Sequence, residues 1–311
     1  MNNDLMNKTY AAMTSDYHDA FWKAMRGSNL AYGDMAQAKI SANDGTYLLP
    51  AKTASRYSAA LQKMNLFRRV GTTLSQTVGA GVLWMGDMEV QPQWVPENES
   101  IPVGTDSLEP RHAVRSHKLA IITSLDMDMI RDADFDLEGY LVRRFAKGFG
   151  KAEEDTFING TGSTMPKGIL HETEGAETGV TASGDISFDD VLSLYFSVDK
   201  RFRSNGMWLM NDVTALKLKM LKDQNGQYLW NQNSDTILGK PVHISEFMPS
   251  DGKPVAFGDF TYYYIIDRMP LTVRPLNEMY IKEDKMGFLC VEYLDGLLIR
   301  PEAVKVLKVG Q

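Results

Sequence analysis

Cysteine is nearly absent: Cys290 is the only one in 311 residues, so no disulfide within the chain holds the fold. Flanked by Phe288, Leu289 and Val291, it reads as a small buried hydrophobe rather than a nucleophile. No run of about 18 apolar residues exists to span a bilayer. The opening MNNDLMNKTYAAMTSDYHDAF lacks the basic end and apolar stretch of a secretory signal, so synthesis in a cytoplasm and no membrane partner are expected. An excess of basic residues is missing as well. The formal net charge of −7 excludes a protein that coats nucleic acid over its whole surface, because neutralising phosphates takes clustered Lys and Arg. Contact with DNA is expected to be weak and local.

The motifs of common catalytic and metal sites are missing too. Histidines stand at 18, 112, 117, 171 and 243 without an H-E-x-x-H. On one extended run His112 and His117 face opposite sides, so no zinc site is expected. The acidic series Asp126, Asp128, Asp132, Asp134, Asp136 and Glu138 lacks the central glycine and terminal glutamate of a calcium loop. No G-x-S-x-G places a serine on an elbow, and Glu153-Glu154-Asp155 reads as a solvated helix face. TFINGTGSTMPKGIL (156–170) holds Gly160, Gly162, Gly168 and Lys167. A phosphate loop, however, needs strand, glycines, Lys and a hydroxyl residue, then helix. Here the helix comes first and Gly168 follows Lys167, so the run is a corner with Gly160 at the helix C-cap. No cofactor is expected.

What is present suits a globular chain of about two domains: 43% hydrophobic and 23% charged residues, with 25 Gly and 12 Pro. Residues 1–45 contain helical stretches such as DYHDAFWKAMRG but too few apolar residues for their own core, and read as an arm. In YLLPAKTASRYSAALQKMNLFRRVGTTL, the spacing of Ala54, Tyr57, Leu61, Met64 and Phe67 predicts an amphipathic helix. From Thr72 to about Ser124 helical periodicity disappears. Two extended runs there, TVGAGVLWMGDMEVQPQWV and HAVRSHKLAIITSL, predict a long hairpin carrying Trp84 and Trp94. A two-stranded ribbon is marginal alone, so its apolar side chains need a surface supplied by another copy of the chain.

Asp136 then caps a helix over about 137–157, in which Leu137, Tyr140, Leu141, Phe145, Phe149, Ala152 and Phe157 repeat every three to four residues. Its roughly 21 residues span about 30 Å. Ser187-x-x-Asp190 is a capping box, an Asn205-Gly206 turn precedes the short strand in MWLMN, and VTALKLKMLKD is a further helix. The C-terminal third is strand-rich. Helices and strands alternate too irregularly for a doubly wound sheet, which makes the class α+β.

In this order the segments resemble the major capsid proteins of tailed phages of the Hong Kong 97 type. DYHDAFWKAMRG with GTYLLP is similar to the arm and its junction, and FDLEGYLVRRFAKGFGKAEEDTFINGTGSTMPKGIL to the spine helix and its exit. MWLMNDVTALKLKMLKDQNGQYLW resembles the apical core, followed by LGKPVHISEFMP, AFGDFTYYYIIDR and GLLIRPEAVKVL. The resemblance implies an N-terminal arm (1–45), a peripheral domain (46–71, 125–186 and 286–311) with its spine helix, an extended-loop hairpin (72–124) and an axial domain (187–285). It also implies a non-enzymatic shell subunit that assembles into pentamers and hexamers around a double-stranded DNA genome in the virion. Expected partners are portal, scaffolding or protease, and a decoration protein. Contacts between copies are expected at Trp84, Trp94, Arg111 and Arg115 of the hairpin and at Arg143, Arg144, Glu153 and Glu154 of the spine helix. Arg143, Arg144, Lys147 and Lys151 are expected to pair with Glu153, Glu154 or neighbours at least as readily as with DNA. Within the same fold an encapsulin-type cellular compartment is the alternative; a hydrolase is the alternative outside it.

Some members of that family join a loop lysine to a peripheral asparagine with a glutamate assisting. Between Thr72 and His117 this chain has no lysine, and Lys285 and Met286 stand where the asparagine is expected, with Glu292 nearby. A non-covalent shell is therefore expected. About forty residues precede GTYLLP, fewer than a cleaved scaffolding segment occupies in many relatives, so either the chain is already mature or scaffolding is supplied separately.

Overall fold

The computed structural model describes residues 11–28, 47–75, 82–85, 95–96, 109–222, 225–230 and 235–310, and statements of absence below refer to these. The chain enters through helix α1 (Ser15–Met25), whose first turn is closed by the Thr14 hydroxyl accepting from the Tyr17 N–H. Strand β1 (Tyr47–Leu48) leads to α2 (Ala51–Met64) and α3 (Leu66–Val70). The single helix expected from the apolar spacing is thus two. Asn65 is the reason: it takes extended backbone (φ −124°, ψ 120°), and its Oδ1 accepts from the Phe67 and Arg68 N–H groups, which starts a new helix.

Strands β2 (Thr72–Ser75), β3 (Val82–Met85), β4 (Glu109–Ala113) and β5 (His117–Asp126) follow, then α4 (Met127–Arg131) and the long helix α5 (Leu137–Asn159). Asp136 caps α5 through the Gly139 N–H, as its position predicts. The rest of the chain gives β6 (Glu177–Ala182), α6 (Phe188–Ser197), α7 (Lys200–Arg203), β7 (Met207–Met210), α8 (Asp212–Lys219), β8 (Thr236–Ile237), β9 (Lys240–Ile244) and β10 (Val255–Gly258). It ends with β11 (Tyr263–Leu276), β12 (Lys285–Leu298) and β13 (Val304–Val309). The Ser187–Asp190 capping box of α6 forms with both its hydrogen bonds, and Asn211 caps α8.

Two sheets organise these elements. One has five strands in the order β1-β11-β12-β5, with β2 parallel to β11. Its centre is the long antiparallel β11–β12 hairpin, in which Val273 lies opposite Cys290 and Ile265 opposite Gly296. Helices α1, α2 and α5 lie on this sheet, burying Phe21, Tyr57, Leu61, Phe145 and Phe149 against Val273, Phe288 and Cys290. The other sheet has six strands in the order β6-β13-β10-β7-β9-β8, and Trp208, Phe257, Leu194 and Leu307 form its core. Between the two lies an aromatic cluster. Phe67 meets Phe157, Phe260 and Tyr263 edge-on at centroid distances of 5.8, 5.9 and 5.0 Å. Each such buried ring contributes about 2–3 kcal/mol of transfer free energy, so this cluster is the main apolar joint between the sheets.

Sheet membership does not follow the expected domain ranges. Strands β6 and β13 lie outside the range 187–285 yet belong to the six-stranded sheet, and β11 lies inside that range yet belongs to the five-stranded one. A cut at 285/286 would separate the fourteen-residue β11 from its return strand β12, also fourteen residues long. The expected ribbon also divides: β3 pairs with β4, while His117–Asp126, the second half of the expected return strand, pairs along β12 as a sheet edge. The α1 helix of the arm packs into the first core through Tyr17, Ala20, Phe21, Ala24 and Met25. The remainder of the arm, at 1–10 and 29–45, lies outside the described residues.

Candidate functional site

Glu153 and Glu154 are the first surprise of the spine helix α5. They read as a solvated face, but they are 1% and 9% exposed, and neither pairs with the helix's own cations. Arg68 of α3 reaches Glu153 with Nε donating to Oε2 at 3.0 Å and Nη2 donating to Oε1. Its Nη1 lies 2.9 Å from both carboxylate oxygens of Asp267 on β11. Asn65 donates from Nδ2 to Glu153 at 3.0 Å. Glu154 accepts from the Leu66 N–H at 3.0 Å and from the Ser245 hydroxyl at 2.6 Å. Four parts of the chain, the α2–α3 joint, the spine helix, β11 and the start of the turn after β9, are therefore fastened at one buried point.

Beside this point sits Glu292 of β12, 6% exposed, accepting from the Tyr57 hydroxyl at 3.1 Å. Burial, with the negative charge of Glu153 next to it, holds its carboxyl well above the usual carboxylate range. Burial, and then the same carboxyl, also raises the Tyr57 phenol. Burial thus works against the charged form of Glu292, while the arginine pairs with Glu153 and Asp267. Glu153 and the Arg68 guanidinium are the components that make burial tolerable: each removes the desolvation penalty of the other.

A second tie fastens the hairpin stem to the exit of the spine helix. The Arg115 backbone N–H donates to Asp295 at 2.5 Å, and its Nη1 donates to the Gly162 carbonyl at 2.9 Å. His117 Nε2 lies 3.6 Å from Asp295. Burial raises the Asp295 carboxyl, against the pull of the Arg115 and Gly296 N–H groups that stabilise its charge. The glycine run is the corner its order implied. Its N–H groups are spent on carbonyls, Gly160 on Thr156, Gly162 on Pro166 and Gly168 on Gly160, and Lys167 pairs with Glu174, so no anion cradle faces out. Gly160 caps the helix with ordinary extended backbone (φ −61°, ψ 139°), not left-handed. It must be glycine because a Cβ would overlap the Pro166 and Thr156 carbonyl oxygens. Gly162 is the position that needs a positive φ, +73°.

Of the residues expected at contacts between copies, Arg115 is engaged within its own chain, and Glu153 and Glu154 are internal. Arg143 and Arg144 are exposed on α5. Lys151, expected to pair with Glu153, Glu154 or neighbours, pairs with Glu246 at 2.6 Å. Trp84 and Arg111 belong to the β3–β4 hairpin, with Trp84 opposite Pro110; their side chains and all of Trp94 lie outside the described residues. Arg68, Asp267, Tyr57, Asn65 and Ser245 were missed by sequence reasoning. Their partners stand between 85 and 235 positions away, and no local spacing signals that. Among the described residues no group of His, Cys, Asp and Glu is placed to hold a metal ion, and no helix is long and apolar enough to cross a membrane.

The family model described as Phage capsid family matches residues 45–309. The probable major capsid protein gp17 of Mycobacterium phage L5 is 25% identical over 248 residues, covering 73% of this chain and 73% of that protein. The capsid polyprotein of Pseudomonas phage PAJU2 is 25% identical over 185 residues, 56% of this chain, and the match spans only 27% of the polyprotein. Among solved structures, the capsid of an empty GTA particle superposes with a TM-score of 0.68 at 26% identity, covering 80% of this chain and 90% of that one. A chain from Gordonia phage Cozz superposes with a TM-score of 0.58 at 13% identity over 79% and 87% of the two chains, a likeness of fold alone.

Proposed function

The chain belongs to the phage capsid family, and from that membership we infer that it is the major capsid protein of a phage, with the α+β fold of Hong Kong 97-like shells. One observation carries the reading: the family match spans residues 45–309, a range that takes in both sheets, the hairpin and the spine helix. A borrowed domain would match one sheet only.

In this reading copies of the chain associate into capsomers, pentamers and hexamers, and these close the head shell of the virion around double-stranded DNA. The five-stranded sheet with α1, α2 and α5 serves as the peripheral domain, and the six-stranded sheet as the axial one. The β3–β4 hairpin is the root of the extended loop that reaches a neighbour. Portal, scaffolding or protease, and a decoration protein are the partners such a shell calls for, and the subunit performs no catalytic step. The buried ionic centre suits this work. Shell assembly proceeds through many weak contacts that must remain correctable, so each subunit has to be rigid inside while its surfaces bind loosely. Fastening α3, α5, β11 and the turn after β9 at one point supplies that rigidity.

Electron microscopy of the chain expressed alone, or with the scaffold of its own phage, tests the reading. Closed icosahedral shells are the expected result. A chain that stays monomeric under both conditions rejects it.

A further inference from the structure

Two of the helical segments that lie on the five-stranded sheet carry cations without acids, whereas α1 beside them carries Asp16 and Asp19. Residues 51–70 carry Lys52, Arg56, Lys63, Arg68 and Arg69 and no acidic residue, and residues 139–152 of the spine helix carry Arg143, Arg144, Lys147 and Lys151 and none either. On the spine helix these four fall within an arc of about 100° at 3.6 residues per turn, and all are exposed. The side chains that could have cancelled them are turned away: Glu153 and Glu154 are buried and bound to Arg68, Asn65, Ser245 and the Leu66 N–H. A cleft of about 400 Å³ gathers Lys63, Arg69, Lys147 and Lys151 at one end of this face. Its carboxylates are the buried Glu154, Glu246, which is taken by Lys151, and Asp212. Among the described residues Lys63, Arg69, Arg143, Arg144 and Lys147 have no ion-pair partner.

Resting on the capsid reading, we propose that this face of the helix layer, with Lys63, Arg69, Arg143, Arg144, Lys147 and Lys151, is the surface that meets the packaged duplex. It takes backbone phosphates without reading sequence. The chain is acidic overall, at −7, so DNA is repelled by its average surface and approaches where the local sign reverses. Arg143, Lys147 and Lys151 repeat every four residues, about 6 Å apart along the helix, a rigid row suited to a run of phosphates. The positions between the cations are Ser55, Ser58, Ala59 and Gln62, exposed and small or polar. A protein interface of any affinity is centred on aromatic or large apolar anchors; here the exposed large apolar side chains are Met64 on the helices and Ile244 at the cleft, with no exposed aromatic ring. Backbone contact needs no such anchor.

The test uses the unassembled full-length chain and a fluorescent duplex of about 30 base pairs, titrated between about 50 and 200 mM salt. A triple variant, Arg143→Gln, Arg144→Gln and Lys147→Gln, is compared with a control that removes the same charge elsewhere, Lys118→Gln, Lys217→Gln and Lys282→Gln. Removing one cation from a phosphate lowers the salt slope by about 0.9, so the affinity drop over that range is expected to shrink roughly 40-fold in the spine variant and not in the control. Equal slopes in the two variants overturn the proposal. So does a spine variant that binds duplex like wild type but no longer closes shells, which would assign the stripe to an acidic segment of a neighbouring protein. Wild-type chain brought to assembly, alone or with the scaffold of its phage, and imaged keeps the two questions apart: shells without a spine-dependent salt slope reject the DNA face and leave the capsid reading standing, and no shells under either condition rejects both.

Discussion

Arg68 holds Glu153 of the spine helix with two of its nitrogens and Asp267 of β11 with the third, so one guanidinium joins the helix layer to the sheet. The Arg68 and Glu153 side chains are 8% and 0% exposed, and their worth lies in mutual compensation. Arg68→Ala leaves a buried carboxylate without its counter-charge and is expected to cost about 3–5 kcal/mol. Arg68→Lys keeps the charge but loses the fork and should recover only part of that. Adding Glu153→Gln to Arg68→Ala should restore stability relative to the single variant. Urea unfolding of the unassembled subunit measures all three, and a double variant no better than the single one would contradict the pairing.

Glu292 makes stability depend on pH in an unusual direction for an acid. Its folded-state carboxyl is raised by burial and by Glu153, whereas an unfolded Glu titrates near about 4.3. Above that pH the folded chain retains a proton the unfolded chain has released, so this group's contribution is full at acid pH and declines as pH rises, until the folded carboxyl itself ionises. The slope approaches about 1.4 kcal/mol per pH unit. Glu292→Gln is neutral throughout and can still accept from Tyr57. The variant should therefore match wild type near pH 4 and gain on it as pH rises above the unfolded carboxyl's range, levelling where the folded carboxyl ionises, as read from urea midpoints. Parallel curves would show that Glu292 is ionised in the fold.

Helix starts were legible because their signals are local. Asp136, and Ser187 with Asp190, each stand within three residues of the N–H they cap, and the apolar period of α5 is visible in any window of two turns. The glycine corner was legible from its place after that helix. The fates of Glu153 and Glu154 were not: an acidic pair on a helix with a basic stripe looks solvated until Arg68 and Ser245, 85 and 91 positions away, are brought beside it. Strand runs were found but their partners were not. His117–Asp126 alternates like a ribbon strand, and only the pairing with β12 reveals it as a sheet edge.

The corner predicts a graded response to alanine. At Gly160 a Cβ would overlap the Pro166 and Thr156 carbonyl oxygens, and at Gly168 the Ile158 carbonyl oxygen, all backbone atoms that cannot swing aside. At Gly162 the cost comes from φ +73° as well. Gly184 has open space around it and no positive φ. Alanine at 160 or 168 is expected to cost about 2–4 kcal/mol and alanine at 162 about 1–2 kcal/mol, with Gly184→Ala within about 0.5 kcal/mol of wild type. Thermal unfolding of the four variants gives the order directly. Equal losses at 160 and 184 would mean the close backbone packing at the corner is not tight.

The shell should come apart into single chains in hot detergent. Joining a lysine to an asparagine side chain forms an amide and expels ammonia, which requires the lysine amine to reach the carboxamide with a carboxylate beside it to take a proton. None of the three components is available where the related shells have them. No lysine stands between Thr72 and His117. Met286 is buried opposite Leu125, and Lys285 is paired in register with Asp126 at the sheet edge. Glu292, the nearby acid, is 6% exposed and enclosed with Tyr57, so it is not open to a neighbour. Boiled particles run on a denaturing gel should give one monomer band. A ladder of covalent multimers that survives reduction would place a cross-link elsewhere in the chain, and peptide mass spectrometry of the ladder would locate it.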